Sequence, residues 1–590
     1  MRKIPFLTLL RGVLPLLCLL WSGSATAQGY LRAEGTRIVD GQGRTVLLRG
    51  MGLGGWMLQE PYMLGLSGTA ANQSDIRKKI SAVIGPERTA TFYKAWLQNF
   101  TRKADIDSMA AWGFNSVRLP MHYDLYTLPV DQEPAPGKQT WLPGGFALTD
   151  SLLRWCAANK MYLILDLHAA PGGQGADFAI SDRDTTKASL WQSAEAQAKT
   201  VALWRKLAER YRNEPWIGAY DLINEPNWGF SDPKDKNGCA EANNGPIRDL
   251  LVRITDTIRA VDKKHLIIIE GNCWGNNYRG MLPPWDKNTV LSFHKYWNDN
   301  TDGALRSIVE LRDQHNVPVW MGESGENSNA WFRDAIALLE RHGIGWAWWP
   351  LKKIGINNPL EIRSNPDYKQ LVAWWKGAGP KPDSDAAFRG LMQLADDSRS
   401  DRNTAHPDVV DAMFRQPRDN RTFPFAVHDL AQSPTVYAVD FDMGPNGSAY
   451  FSRDSGNYWV SSGKRTEWNR GWTYRNDAID ITPCTDSSGN GFQVDGLGPG
   501  EWLQWSVVAP TAGTYEVRLR LSGTEPLKME LFANGLSSVR ETNGSSGWGE
   551  VRFPRIYLKK GINQIRLRSQ QGLVNLNYLR FLPATAAGGF

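Results

Sequence analysis

Residues Ile217–Trp228, IGAYDLINEPNW, decide how the chain is read. Ile217–Leu222 has the apolar pattern of a buried strand. Asn224, Glu225 and Pro226 follow where a parallel strand would leave its sheet. A carboxylate at a strand's C-terminal end, next to an amide, is where a (β/α)8 barrel keeps its chemistry. Pro226 stops the chain from continuing at once as a helix.

The same pattern recurs on both sides of this stretch. Strand candidates are Val46–Gly50, Ser116–Leu119, Tyr162–Leu167, Ile217–Leu222, Leu266–Glu270, Val290–Phe293, Val317–Gly322 and Gly345–Trp349. Helical periodicity lies between most of them, as in Asp105–Trp112, Thr149–Asn159, Ala194–Tyr211, Ile247–Val261, Gly303–His315 and Trp331–His342. Eight strands alternating with helices spell an α/β fold of the (β/α)8 TIM-barrel type. A doubly wound open sheet fits less well, because no Gly-rich phosphate loop follows the first strand. Leu31–Leu48 reads as a hairpin around the Asp40-Gly41-Gln42-Gly43 turn, placed to close the bottom of the barrel.

The chain has 590 residues, enough for a barrel and an appendage. Residues 1–27 read as a secretory signal: Arg2 and Lys3, an apolar run Ile4–Leu20, then Ala25-Thr26-Ala27. Arg11 and Pro15 interrupt the run, and no later stretch suggests a membrane span. The expectation is an exported protein, extracellular or periplasmic. The formal charge is +6, and the signal holds three of the basic residues, so the mature chain is only weakly basic. Nothing in that charge suggests a nucleic-acid partner, and none is expected. Cys239 and Cys273 fall in loops after adjacent strands, where export would permit a bridge; Cys156 reads as a buried thiol. No metal-ligand spacing appears.

Residues 28–376 are assigned to the barrel. Residues 377–434 read as a helical tail and linker, with a short helix at Pro407–Arg415. Residues 435–590 change to short strands and Gly/Asn turns, as in Glu501–Val508, Gly513–Ser522, Leu527–Ala533 and Gly561–Arg568. That pattern predicts an antiparallel β-sandwich of jelly-roll type, nearly free of helix and separable from the barrel. With 26 Trp, 18 Tyr and 20 Phe, the chain has rings for large cores and for stacking on sugar faces.

Residues at the strand ends of a barrel share one face. Here these are Arg118, His168, Asn224 with Glu225, His294 with Tyr296, Glu323 and Trp349. Each has a bland reading by itself: Arg118 in a structural ion pair, the histidines and Trp349 in the core, Glu323 or its neighbour Glu326 in solvent. Together, two carboxylates ringed by Arg, His, Asn, Tyr and Trp are what glycoside hydrolysis needs. One donates a proton and the other attacks, so their environments must hold their pKa values apart.

On these residues, residues 30–375 or so resemble glycoside hydrolase family 5, the retaining β-glycanases. The motifs are VRLP (Arg118), LDLH (His168), INEP (Asn224, Glu225), SFHKY (His294, Tyr296), WMGES (Glu323) and WAWW (Trp349). The resemblance implies Glu225 as acid/base and Glu323 as nucleophile, with no catalytic cofactor. It implies that Asn224 binds the sugar 2-hydroxyl and that Arg118 and Tyr296 support Glu323. His168 and His294 would orient the donor site, and Trp349 would be the platform for the sugar before the cut. Arg49–Met63 and Asp166–Gln174 are similar to members acting on β-1,3- and β-1,6-glucans; Trp348–Lys353 departs from them and leaves β-1,4 action open. The expectation is a monomer acting on a β-glucan. A β-mannanase and a non-catalytic polysaccharide-binding protein are the alternatives.

The tail resembles family 6 carbohydrate-binding modules in Tyr474–Ile481, Gly498–Val507, Ala512–Leu521 and Val574–Phe581. Trp548 and Asn575 match two places of a sugar site, whereas Leu497 stands where a second aromatic would be. The acidic start Asp440–Asp442 is a candidate structural Ca²⁺ site.

Overall fold

The computed structural model describes residues 29–456 and 468–584. The proposed signal at 1–27 lies outside the described residues. Eight parallel strands close into a barrel: β1 (Arg49–Gly52), β2 (Ser116–His122), β3 (Tyr162–Ala169), β4 (Ile217–Asp221), β5 (Leu266–Glu270), β6 (Thr289–His294), β7 (Val319–Gly325) and β8 (Gly345–Trp349). β8 pairs with β1 through Trp346–Arg49, Ala347–Gly50 and Trp348–Met51, which completes the ring. The expected strands and helices are in place, shifted by a few residues at their ends.

Side chains alternate along each strand, as a period of two requires. Leu163, Leu165, Ile267, Ile269, Leu291, Trp346 and Trp348 pack against the surrounding helices. Tyr162, Ile164, Leu266, Ile268, Val290, Trp320 and Ala347 form a separate apolar cluster inside the barrel. Continuing the inward positions toward the strand ends gives Asp166 and His168, Glu270, His294 and Trp349. The barrel interior therefore changes from apolar at the bottom to charged at the top.

Leu31 and Ile38 join the inner cluster from below, so the N-terminal segment does close the barrel. Its pairing differs from expectation: Arg32–Glu34 pairs with Arg37–Val39 across Gly35, whose φ of +59° suits glycine. The Asp40–Gly43 turn closes only the single bridge Val39–Thr45, because Asp40 binds Gln42 and Arg44 instead.

The helices carry local signals that fix where they begin. Ser193 Oγ accepts the Ala196 N–H ahead of Ala194–Tyr211, and Ser328 Oγ accepts the Trp331 N–H ahead of Asn329–Arg341. After the barrel, Pro407–Phe414 is helical as expected. Ser384–Asp397 is a helix that the sequence reading missed. Asp383 caps it, and Ala387, Leu391, Leu394 and Ala395 are buried at helical spacing.

The C-terminal region is all-β. Strands β9 (Ile481–Pro483), β10 (Phe492–Leu497), β11 (Trp502–Ala509), β12 (Gly513–Gly523), β13 (Leu527–Ala533), β14 (Leu536–Thr542), β15 (Ser545–Leu558), β16 (Gly561–Gln571) and β17 (Val574–Pro583) form two largely antiparallel sheets. One has the order β11-β16-β13-β14, the other β9-β10-β17-β12-β15, and shorter strands extend both. Their inner faces enclose one apolar core around Trp505, Leu519, Leu531, Phe553 and Leu567. The carboxylates of the candidate calcium site at Asp440–Asp442 have protein partners. Asp442 accepts the Ser506 N–H and Oγ–H and a Gln504 Nε2–H, and the Tyr474 hydroxyl lies on Asp440. Burial also holds both carboxyls above their usual pKa, so these oxygens serve the fold.

Barrel and sandwich meet through buried polar groups. Asn476 donates its N–H to Asp408 (2.8 Å) and its amide to the Asn327 carbonyl (2.9 Å) and Asn329 Oδ1 (3.0 Å). Its own carbonyl accepts the Asn329 N–H, and its Oδ1 accepts the Trp468 indole N–H. Asn329 Nδ2 also reaches Asp408 and Asp477. Asn327 and Asn329 lie in the loop and helix start that follow β7.

Candidate active site

The charged top of the barrel is centred on Arg118, which is fully buried within β2, four residues before the strand's end at His122. Its guanidinium donates to Asp221 (3.0 and 3.1 Å), Asn224 Oδ1 (2.7 Å), Glu270 (3.1 Å) and Glu323 Oε1 (3.1 Å), and lies 3.3 Å from Asp166. A buried cation of this kind is tolerable only with such compensation. Four carboxylates hold its pKa up against the effect of burial.

His294 ends β6 and bridges the two glutamates singled out in the sequence. Its Nδ1 lies 2.5 Å from Glu225 Oε1 and 3.2 Å from Glu323 Oε2, and its Nε2 is 3.2 Å from Glu270. Carboxylates on both sides keep the ring protonated despite burial. Oxygens of Glu225 and Glu323 approach each other within 4.8 Å. With His294 they are the one His/Cys/Asp/Glu cluster among the described residues compact enough for a metal. The imidazolium already supplies the positive charge that a metal would bring.

The two glutamates titrate in opposite directions. Burial raises Glu225, and the negative Glu323 adds to this against the opposing His294 cation, giving about 7. Burial would also raise Glu323, but the His294 charge and hydrogen bond and the Arg118 charge outweigh it and hold the group at about 2. One carboxyl carries a proton near neutrality and its neighbour does not.

His168 and Trp349 form one wall. Their rings stack with centroids 5.1 Å apart at 5°. His168 Nδ1 lies 2.7 Å from Asp166, and its Nε2 lies 3.3 Å from the Asn224 amide. The Trp349 indole donates to the Tyr62 hydroxyl at 3.0 Å. The glycines of Arg49–Met63 leave room for this indole: a Cβ on Gly52 or on Gly54 would lie 2.5 Å from its ring atoms. Tyr296 faces the same space, where burial and the Glu323, Glu326 and Glu225 charges raise its pKa. No hydrogen bond joins it to Glu323 among the described residues.

Three buried acids at the strand ends escaped the sequence reading: Asp166, Asp221 and Glu270. The signal was present in the inward series Leu266, Ile268, Glu270, which carries a carboxylate to the top of β5. Glu270 Oε2 accepts the Glu225 N–H at 2.7 Å. Asn227 Nδ2 donates to the Glu225 carbonyl at 2.8 Å. These bonds hold Glu225 at φ +43°, a region that side-chain-bearing residues seldom occupy. Glu270 therefore grips the backbone of Glu225, the Arg118 guanidinium and His294 together. The loops after β4 and β5 are also tied covalently, by the Cys239–Cys273 disulfide. Cys156 is a buried free thiol.

Trp548 and Asn575 lie apart from this site, at one end of the sandwich. β12 runs between their strands: Ser522 pairs with Asn575, and Leu521 pairs with Gly549, the neighbour of Trp548. The Asn575 side chain accepts the Gly496 N–H, which orders the β10 end. Leu497 is 2% exposed and packs in the core, so it offers no ring or edge to a sugar there.

Comparison with known proteins agrees with this geometry. Residues 76–354 match the model of cellulase, glycosyl hydrolase family 5. Residues 475–581 match carbohydrate binding module family 35, which corrects the family 6 expectation. The strand signatures that suggested family 6 belong to the sandwich scaffold, and the buried Leu497 marks the departure. A beta-xylosidase of Phanerodontia chrysosporium is 29% identical over 378 residues, 58% of this chain and 75% of that protein. Endoglucanase C of Acetivibrio thermocellus is 24% identical over 343 residues, 48% of this chain and 92% of that protein. A probable glucan 1,3-beta-glucosidase A of Aspergillus niger is 26% identical over 294 residues, 48% of this chain and 65% of that protein. The barrel is a glycosyl hydrolase family 5 domain, the β-sandwich is a carbohydrate-binding module, and the chain is a glycoside hydrolase.

Proposed function

We propose that this chain is an exported, monomeric, retaining β-glucanase that uses Glu225 as acid/base and Glu323 as nucleophile. The observation that carries this reading is the approach of their carboxylate oxygens within 4.8 Å. Retaining pairs stand about 5–5.5 Å apart, whereas inverting pairs leave room for a water at about 6.5–9.5 Å. The opposite pKa shifts support the division of roles.

In the first step Glu323 attacks the anomeric carbon while Glu225 gives its proton to the leaving oxygen. The glycosidic C–O bond breaks, and a glycosyl–Glu323 ester and a free alcohol form. In the second step Glu225, now ionised, takes a proton from water as that water attacks the same carbon. The ester bond breaks and Glu323 leaves as a carboxylate. Arg118 and His294 keep Glu323 ionised before attack. Asn224, fixed by Arg118 and His168, is placed to bind the sugar 2-hydroxyl, and Trp349 lies under the ring before the cut. The Cys239–Cys273 bridge supports export, since disulfides persist in oxidising compartments.

Product analysis on laminarin, pustulan, barley glucan, carboxymethylcellulose and mannan, with an aryl β-xyloside included because of the beta-xylosidase relative, tests the substrate. The expected result is cleavage of at least one β-glucan with retention at the anomeric carbon. An inverted product would refute the mechanism, and cleavage of mannan or xyloside alone would refute the substrate.

A further inference from the structure

The segment 468–477 of the sandwich does not only anchor it. Asn476 fixes the segment against Asn327 and Asn329, a few residues beyond Glu323. Within the segment, Trp472 is 45% exposed and sits at φ +48°. Its indole nitrogen is 3.8 Å from where a Cβ on Gly355 would stand. Gly355, at φ +133°, belongs to the loop that follows Trp349, and Lys353 Nζ borders the same position at 3.4 Å.

A continuous path joins the Trp349 platform to this ring. The Trp349 indole binds the Tyr62 hydroxyl, and the Glu326 charge acts on Tyr62. Glu326 interacts with the Lys353 ammonium, and Lys353 lies beside Gly355 and Trp472. The groups along this path are hydroxyl, carboxylate, ammonium and amide. Asn357 and Asn358 hold Lys353 in place. Polar groups running from the buried Trp349 indole at the site to the exposed Trp472 indole suit a chain of pyranose rings, whose faces are apolar and whose edges carry hydroxyls.

We infer that Trp472, supplied by the C-terminal module, is an aromatic platform for the glycone-side extension of a β-glucan lying in the catalytic cleft. The module then completes the cleft instead of binding polysaccharide only at a distance. This rests on the proposed β-glucanase reading and adds the residue that would read chain length.

The test compares full-length wild type with Trp472→Ala and Trp472→Phe on oligosaccharides of two to six sugars from the glucan that wild type cleaves fastest. For Trp472→Ala, the ratio of hexasaccharide to disaccharide kcat/KM should fall by about 5–10-fold, the size of one lost stacking contact. Trp472→Phe should restore most of that ratio. Equal losses at every length, or an unchanged ratio with the melting temperature preserved, would overturn the inference. Asn476→Ala guards against a local effect of the Trp472 change. It releases the segment with the ring intact, and the same ratio should fall. If wild type cleaves no β-glucan, the proposed substrate fails instead. Titration of cello-, laminari- and mannohexaose into wild type and Trp472→Ala then decides the platform separately, and equal affinities would overturn it.

Discussion

Replacing His294 by Asn should move both limbs of the pH–rate profile to higher pH. In wild type, kcat/KM requires Glu323 ionised and Glu225 protonated. Activity should therefore fall as pH rises through about 7 and as it drops toward about 2. After burial, the His294 cation is the largest influence on both groups, and it lowers both. Its contacts are 2.5 Å to Glu225 and 3.2 Å to Glu323. A hydrogen bond to a charged group contributes about 1.5–3 kcal/mol, and one pKa unit corresponds to about 1.4 kcal/mol, so each limb should rise by about 1–2 units. The alkaline limb would then lie near pH 8–9 and the acid limb near 3–4, by the same arithmetic, to about a unit. The limbs are macroscopic constants of a coupled pair, so they should move together. The assay is kcat/KM for an activated aryl β-glycoside across the pH range in which circular dichroism shows the variant folded. Limbs that stay in place, or move to lower pH, would refute the claim that an imidazolium governs the pair.

Other substitutions probe the remaining roles. Glu323→Ala should abolish turnover, and added azide should give an inverted glycosyl azide by NMR. Glu225→Ala should lose about 10²–10⁴-fold on unactivated substrates, keep fast glycosylation by activated ones, and give a retained azide product; exchanged stereochemistry would reverse the two assignments. Glu270→Gln places an amide where three donors converge, so kcat/KM should fall by about 10–100-fold, the loss of one or two charge-assisted bonds, and steady-state kinetics with KM nearly constant would support positioning over binding. Deletion after residue 434 should spare aryl-glycoside turnover but lower the barrel's melting temperature by about 5–10 °C, because several interdomain hydrogen bonds go with it; calorimetry showing no change would mean that the buried contacts contribute nothing net. Light scattering should return one chain per particle.

What was legible in the sequence follows from what is local. Strand ends announce themselves by alternation and by short motifs such as LDLH and INEP, so Arg118, His168, Asn224, Glu225, His294, Glu323 and Trp349 could be gathered on one face from strand order alone. Glu270 has no motif of its own. It shows only when the inward series of β5 is counted past Ile268, and the hydrogen bond that gives it meaning comes from a backbone 45 residues away. The helix Ser384–Asp397 was hidden by its charged outer face, although its buried residues keep helical spacing. The contacts of Asn476 with Asn327 and Asn329 span 147–149 residues between two regions with different patterns, and no local rule pairs three asparagines. The asparagine-rich turn chemistry of these segments reads as loop until the two surfaces are brought together.

Those asparagine contacts also bear on how such a chain can diversify. Carbohydrate-binding modules are commonly pictured as interchangeable beads, exchanged between enzymes by recombination at linkers. Here one side chain and its peptide group satisfy five polar contacts drawn from the β7 loop, the connecting helix and the module itself. A transplanted module lacking that asparagine would leave the Asn327 carbonyl and Asn329 Oδ1 to find water or remain unpaired, at a cost of about 1–3 kcal/mol for each group left buried. Barrel and module are therefore expected to be inherited as one unit, and crossover points that preserve full stability should lie outside residues 327–477 rather than in the connection between the two folds.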